Sequence, residues 1–354
     1  MVLRRAASKL PQSRLAQHAG TVPLASIRPP GALELTPRPL CLGIVPRCFR
    51  AFRAWSNLPR DSSPYMTPSP KDLIEASLAE IASRVKLVES RSPASHTVIS
   101  ASGLDDSVVA DALGRYAVAS LTGWVRRDAT IGDRLGVHGI DRRAEVRRLV
   151  DRIIDPPPDR TPEQLDNWRQ TWRDAWIAEV LTHALLVIRR TTSSDCLEGP
   201  VVALLRPHPL PKRQGLDTVA LYDESSSAVL VVGETKASCE RGSDELTRAC
   251  DLFDAVDAGS FGPDLRDAID SLADVLPPEL ASQVSDSLWR DQRCYVPAVL
   301  HETPFDASLP RDRLAALQPI ARRKRVLVLQ LSDFNGFFDR VAAAMSEAVD
   351  ELVV

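Results

Sequence analysis

The stretch AVLVVGETKAS, residues 228–238, is the part of this sequence that decides its fold. Its apolar, largely β-branched run predicts a buried strand, which ends by presenting Glu234 and Lys236 two positions apart. Successive strand side chains point to opposite faces, so these two charged groups share one face while Thr235 points away. Such a pair is either a structural ion pair or part of a catalytic site.

The flanking sequence predicts an α/β fold. A predicted helix at about 162–190 carries Trp168, Trp172 and Trp176 at four-residue spacing, which indicates core packing. The short strands GPVVALLRPHPL and GLDTVALYD precede residue 228, and a helix, the strands CYVPAVLHE and KRVLVLQLSDF, and a closing helix follow it. The order α, β, β, β, α, β, β, α predicts a mixed β-sheet flanked by helices.

Three regions divide the chain. Residues 1–65 are rich in Pro and Arg and hold ten basic residues against two acids, which predicts disorder. A transit peptide, a basic tail or a start codon placed upstream of Met66 would each explain this segment, and we favour the last. Residues 66–160 are predicted as a helical N-terminal region, and residues 161–354 as the α/β domain after the connector DPPPDRTPEQ.

Composition excludes several classes of protein. The sequence contains no run of eighteen apolar residues, so it predicts no membrane-spanning helix. The six cysteines lack the spacing of a zinc site, and we expect them to be reduced thiols in a cytoplasmic protein. The sequence lacks the P-loop, dinucleotide-binding, nucleophile-elbow and zincin motifs. Outside the basic first segment the chain is acidic, which argues against a protein that coats nucleic acid by charge alone.

Hairpin counting brings a second acid to the charged pair. If DESSSA is the turn, Tyr222 lies opposite Val229, and the same register places Asp217 opposite Glu234. Opposed side chains have Cβ atoms about 4.5–5.5 Å apart, where two carboxylates repel unless a cation lies between them. Mg²⁺ suits such a site because it binds one or two carboxylates together with water and phosphate oxygens.

Lys236 gives this site a catalytic group. Only six of the 44 basic residues are lysine, and Lys236 alone has an acid two residues before it. A compact ammonium whose pKa can shift would orient or deprotonate a metal-bound water and offset charge in the transition state of phosphodiester hydrolysis.

These residues resemble the PD-(D/E)XK nuclease superfamily. Asp217 followed by Glu234-Thr235-Lys236 at the end of an apolar strand, in a restriction-endonuclease-like αβββαβ order, carries the resemblance over about residues 165–345. It implies that Asp217 and Glu234 hold Mg²⁺ or Mn²⁺ and that Lys236 assists the attacking water. It also implies a third metal-binding acid on the preceding helix, for which Glu179 stands in the right element.

Two further features qualify the resemblance. Leu216 occupies the position where the family usually has proline. More narrowly, the layout resembles HamA, the nuclease subunit of Hachiman antiphage systems. The resemblance thus implies a divalent-metal-dependent nuclease that acts on DNA in antiviral defence, with a helicase-type partner protein or a second copy of the chain.

Other interpretations stay open at this point. A catalytically inactive nuclease-fold module that scaffolds a defence or repair complex is the alternative function, and a structural ion pair in an unrelated α/β domain is a third. Glu179 could pair with an arginine, and His183, on the same helical face, is better explained by packing than by metal binding. His208 and the basic run ARRKR at 321–325 are weaker candidates for substrate contact.

Overall fold

The structure is a computed structural model that describes residues 68–91, 95–132, 142–188, 197–209, 215–284, 288–309 and 311–352. All of them belong to one compact unit, Tyr65–Val354. The predicted disordered segment 1–65, like Met66, lies outside the described residues. Within the described ranges no helix is both long and apolar enough to span a bilayer.

Seven strands and eleven α-helices make up the described fold. The strands are β1 (Lys86–Arg91), β2 (Thr97–Ser102), β3 (Val201–Leu204), β4 (Thr218–Asp223), β5 (Ala228–Ala237), β6 (Arg293–His301) and β7 (Arg325–Gln330). The helices are α1 (Pro70–Arg84), α2 (Ser107–Thr122), α3 (Arg142–Ile154), α4 (Pro162–Trp168), α5 (Asp174–Ile188), α6 (Gly242–Asp257), α7 (Gly262–Ala273), α8 (Pro278–Ala281), α9 (Leu288–Asp291), α10 (Asp312–Ala316) and α11 (Phe334–Leu352).

The strands form one mixed sheet in the order β1-β2-β7-β6-β5-β4-β3. The pairs β1–β2, β3–β4 and β4–β5 are antiparallel, whereas β2–β7, β5–β6 and β6–β7 are parallel. The predicted α/β class, a mixed sheet flanked by helices, is confirmed.

Strand β5 lies inside the sheet and is buried on both faces, which explains its continuous apolar run. Val229 and Val231 belong to the core that α2, α5 and α11 complete on one face. Leu230 and Val232 belong to the core that α6 and α7 complete on the other. Glu234 and Lys236 continue this second series, so the alternation of the strand directs both towards the side of α6.

The prediction of a purely helical region at 66–160 is wrong for two segments. Lys86–Arg91 and Thr97–Ser102 are strands, and β2 pairs with β7, more than two hundred residues later in the chain. Helix α1 ends at Arg84, and the chain continues directly into β1. The short edge strand β1 buries only Leu87 among residues 86–90, which leaves too little alternation to predict it.

Residues on both sides of the predicted boundary at 160 contribute to one hydrophobic core. Val109 and Val150 from the first part lie in the same cluster as Ile177 and Phe338 from the second. The connector DPPPDRTPEQ therefore joins helices that pack into a common interior.

The predicted long helix at 162–190 contains a π-helical turn, Arg169–Arg173, between α4 and α5. Trp176 belongs to the hydrophobic core, which confirms its predicted packing role, whereas Trp168 is buried outside the two core clusters and Trp172 is half-buried. The Nε1–H group of Trp176 donates a 2.7 Å hydrogen bond to the carbonyl of His208. This bond ties α5 to the segment that follows β3.

Candidate active site

The hairpin β4–β5 sets the register of the site. Its two central turn residues, Ser225 and Ser226, have φ of 55° and 71°, as a type I′ turn requires. Glu224 and Ser227 close the turn with reciprocal backbone hydrogen bonds of 2.8 and 3.1 Å. Tyr222 pairs with Val229, so the predicted register is confirmed.

Asp217 lies directly before β4, next to the charged end of β5. The last ladder pair joins Thr218 to Gly233, so the residues beyond it are Asp217 and Glu234. Oδ2 of Asp217 accepts a 2.8 Å hydrogen bond from the backbone N–H of Thr235. The predicted meeting of Asp217 with the Glu234-Thr235-Lys236 motif is therefore present in the structure.

Glu234 and Lys236 contact each other on their common face. Nζ of Lys236 donates a hydrogen bond to Oε1 of Glu234. The Glu234 side chain is 7% exposed and that of Lys236 29%, so the carboxylate is deep and the ammonium reaches towards solvent. Oε2 of Glu234 is buried and has no hydrogen-bond partner among the described residues. A buried, unsatisfied carboxylate oxygen is a costly feature, and either a proton shared with the neighbouring Asp217 or a bound cation would satisfy it.

Glu179 lies on α5, which packs against the face of β5 opposite to that of Glu234 and Lys236, and the charges of the cluster act on it from there. One turn further along, Thr182 is tied to β5, because its Oγ1 lies 3.2 Å from Oγ1 of Thr235. Burial raises the pKa of Glu179 well above its usual value, and the charges of Asp217 and Glu234 raise it further. No arginine in the described ranges forms an ion pair with Glu179, so the ion-pair alternative finds no support there.

The site has the electrostatics of an acid cluster in an apolar environment. Burial raises the pKa of Asp217, although its bond from Thr235 opposes the shift. Burial and the neighbouring Asp217 raise the pKa of Glu234 to about 8. Burial by itself lowers the pKa of Lys236, but Glu234 and Asp217 outweigh it and leave the pKa raised. The raised pKa values of Asp217, Glu234 and Lys236 indicate that the site favours additional positive charge.

The donor set fits a hard divalent cation held by two carboxylates. Asp217 and Glu234 converge, and Glu234 keeps one oxygen unused. Over the described part of the chain, no group of three or more His, Cys, Asp or Glu side chains is arranged to hold a metal ion. Two carboxylates suffice for Mg²⁺, which retains water and takes phosphate oxygens as further ligands. Glu179 stays a predicted third ligand.

Of the other predicted candidates, His183 is a packing residue. It is buried between Tyr116, whose hydroxyl lies 2.8 Å from Nδ1, and the carbonyl of Leu205, 3.0 Å from Nε2. Burial lowers its pKa to about 3, so it stays neutral. His208 is half-buried beside α5, where its carbonyl accepts the bond from Trp176.

The basic run 321–325 is engaged inside the protein. Arg323 pairs with Glu224 at the hairpin turn, and Arg325 pairs with Glu89 at 2.7 Å. Nζ of Lys324 lies 3.3 Å from the carbonyl oxygens of Ala315 and Leu317. The prediction that this run contacts phosphate is thus not supported, because these side chains already hold internal partners.

Sequence reasoning missed Glu245 in the first turn of α6. This carboxylate is buried, pairs with Arg248 at 2.9 Å, and adds to the negative field that raises the pKa of Lys236. The only sequence signal was an acid at the start of the helix that follows β5, which is a common helix-capping feature.

No protein-family model matches the chain, and no curated protein matches it.

Proposed function

We propose that this chain is a divalent-metal-dependent nuclease that hydrolyses phosphodiester bonds, with DNA as its substrate. The observation that carries the proposal is the convergence of Asp217, Glu234 and Lys236 at the ends of two paired strands. Two carboxylates and an ammonium at one point supply a cation site and a group that can position water.

Bound Mg²⁺ or Mn²⁺ would polarise the scissile phosphate and lower the pKa of a bound water. Asp217 and Glu234 would hold the ion, with Glu179 as the third carboxylate. Lys236 would exchange its bond to Glu234 for one to the attacking water or to a phosphate oxygen, where its charge opposes the negative charge of the transition state. The partly exposed position of its side chain is compatible with this movement.

The element order supports a restriction-endonuclease-like core for this proposal. Helix α5, strands β3, β4 and β5, helix α6 and strand β6 occur in the order αβββαβ, with the additional helices α7, α8 and α9 between α6 and β6, and β5 is parallel to β6. We propose further that the enzyme acts in the cytoplasm in antiviral defence, and that a helicase-type partner or a second copy of the chain contacts the part formed by residues 66–160. An acidic body gives a reason for a partner, because it binds DNA poorly by charge alone.

A catalytically inactive module of the same fold is the second candidate. Two observations favour it: Lys236 is closed onto Glu234, and no three-residue metal group is assembled within the described ranges. In this case the ammonium would be a permanent counter-charge for a buried acid. The two candidates differ in whether a divalent cation binds.

Metal-dependent cleavage separates the candidates. The full chain would be incubated with plasmid, linear duplex and single-stranded DNA and with RNA, in Mg²⁺, Mn²⁺ or EDTA. Asp217→Ala would be tested beside Asp166→Ala, which removes a carboxylate whose side chain is 67% exposed on α4. Calorimetric titration with Mn²⁺ gives a readout that needs no activity.

The nuclease proposal expects cleavage that EDTA and Asp217→Ala abolish and Asp166→Ala leaves unchanged. It also expects Mn²⁺ binding that only Asp217→Ala weakens. A chain that neither cuts nor binds Mn²⁺, while its circular dichroism shows a folded protein, would be the inactive module.

A further inference from the structure

Three exposed arginines lie beside the edge strand β3. Arg126 and Arg127 belong to the loop after α2, and Arg206 follows β3. The backbone holds them together, because the carbonyl of Arg127 accepts a 2.7 Å hydrogen bond from the N–H of Leu204. We call Arg126, Arg127 and Arg206 the arginine patch.

A close approach at Gly123 joins the two segments of the arginine patch. A Cβ atom added to Gly123 would lie 3.2 Å from Nη1 of Arg206, so the guanidinium rests directly on this turn. Gly123 has φ of 82°, a conformation that a larger residue adopts only with strain. The turn that ends α2 thus leaves room for Arg206.

The arginine patch adjoins the candidate active site through the ladder. The N–H of Leu205 donates a 2.9 Å hydrogen bond to the carbonyl of Val219, which continues the antiparallel register of β3 and β4. Arg206 therefore lies opposite Thr218, the residue after Asp217, on a strand about 5 Å away. Its side chain lies against Gly123 at the end of α2, on the sheet face opposite to that of Glu234 and Lys236, so a bound strand would pass the start of β4 to reach them. From the other side, Trp176 of α5 bonds to His208 two residues beyond Arg206.

The charges of the arginine patch are available to a ligand. None of its three guanidinium groups forms an ion pair with a carboxylate in the described part of the chain, whereas exposed arginines such as Arg313 and Arg322 do. Among the residues that the structure describes, its one side-chain hydrogen bond runs from Nη1 of Arg127 to the carbonyl of Ser271, at 3.2 Å. The nearby acid Asp128 is turned into its own loop, where it accepts bonds from Thr130.

We infer that the arginine patch binds the phosphodiester backbone of the nucleic acid strand that enters the site. Guanidinium groups form bidentate contacts with phosphate oxygens, and three positive charges at one edge of the sheet suit a polymer with many phosphates better than a single anion. The inference rests on the proposed nuclease function and names the surface that would bring substrate to Asp217 and Glu234. It also supplies a local basic track on an otherwise acidic protein.

Binding measured without cleavage tests the inference. Fluorescence anisotropy of labelled DNA and of RNA of the same sequence would be recorded with the full chain in EDTA, from about 50 to 200 mM KCl. The test variant replaces Arg126, Arg127 and Arg206 with glutamine. The matched control replaces Arg148, Arg152 and Arg160, which are also exposed and are placed on α3 and the connector.

We expect the test variant to bind at least tenfold more weakly than the wild type and the control to bind as the wild type does. The slope of log K against log salt falls by about 0.9 for each lost contact to duplex phosphate, hence by roughly two to three in the test variant. Lysine at the same three positions should retain most of the slope, which separates lost charge from a disturbed loop. The polymer that binds more tightly identifies the strand.

Equal losses in both glutamine variants, or none in the test variant, would overturn the inference. This outcome differs from failure of the nuclease proposal. If DNA binds through the arginine patch but no metal-dependent cleavage occurs, the nuclease proposal fails and the inference about the arginine patch stands. If cleavage requires Asp217 but DNA binding does not depend on the arginine patch, the nuclease proposal stands and the inference fails.

Discussion

The backbone N–H of Thr235 donates a 2.8 Å hydrogen bond to Oδ2 of Asp217, and this bond joins the acid of β4 to the charged end of β5. Thr235 lies between Glu234 and Lys236 in β5, so its N–H holds the Asp217 carboxylate beside these two residues. Its side chain points to the other face, where Oγ1 meets Thr182 of α5. One residue therefore links the acids of the hairpin to the helix that carries Glu179.

Replacing Lys236 with alanine should abolish cleavage and leave the fold intact. The ammonium is the only cation paired with Glu234 in the described residues, and loss of one such electrostatic group costs about 10²- to 10³-fold in rate. Single-turnover cleavage measures the effect. Lys71→Ala is the control, because that lysine is exposed and 4.0 Å from Glu75 on α1. Normal turnover in Lys236→Ala would contradict the assigned role.

Replacing Asp217 with asparagine should make the metal-free protein more stable while removing activity. The amide keeps an oxygen for the N–H of Thr235 but no longer adds negative charge beside Glu234 and Glu179. We expect a gain of about 1 kcal/mol, which raises Tm by about 1–2 °C for a folded unit of this size. Thermal denaturation in EDTA tests this, with exposed Asp166→Asn as a neutral reference. A fall in Tm would show that the charge of Asp217 stabilises the fold.

Stability in EDTA should fall as pH rises from about 6 to 8. Glu234 has an ordinary pKa of 4.5 and a folded pKa of about 8, so between these values the folded state binds more protons than the unfolded state. The free energy of unfolding then decreases with pH, by up to about 1.4 kcal/mol per unit for one group.

Urea titrations across this range measure the slope, and Glu234→Gln should reduce it. Asp217 and Glu179 contribute in the same direction because burial raises their pKa values too. Divalent metal should bind more tightly at higher pH, since it requires the ionised carboxylates. A free energy of unfolding that does not change between pH 6 and 8 would place Glu234 in its charged form throughout.

Replacing Gly233 with alanine should destabilise the protein and weaken metal binding, because it forces the backbones of β4 and β5 apart. A Cβ atom there would lie 2.9 Å from Cβ of Thr218, directly across the hairpin, so β4 and β5 must separate beside Asp217 and Glu234. Overpacking of this kind costs about 1–3 kcal/mol. Chemical denaturation measures the loss, and Mn²⁺ titration measures the accompanying drop in metal affinity.

Gly262→Ala is the matched control for this change, because nothing lies within 4 Å of the added atom. A second variant that combines Gly233→Ala with Thr218→Gly removes the clashing atom and should recover part of the affinity for metal. If Gly233→Ala binds Mn²⁺ as tightly as the wild type, the spacing of the two strands does not control the site.

Two features of the fold could not be predicted from the sequence. Strands β1 and β2 escaped prediction because β2 is stabilised by pairing with β7, a contact between residues far apart in the chain, and β1 pairs in turn with β2. The basic run at 321–325 suggested phosphate binding, yet Arg325 and Arg323 pair with Glu89 and Glu224 from distant parts of the sequence. Local composition does not show which charged side chains the folded chain brings into contact.

The sequence by itself determined the hairpin and its register. Turn residues, strand period and the count across DESSSA place Asp217 beside Glu234 without reference to the rest of the fold, since side-chain direction in a hairpin follows from residue number alone. Only the tertiary structure decided the pKa values of the acids in the site and the position of the arginine patch. Burial raises the pKa values of its acids, and the approach of Arg206 to Gly123 depends on how α2 and β3 pack, which no local pattern specifies.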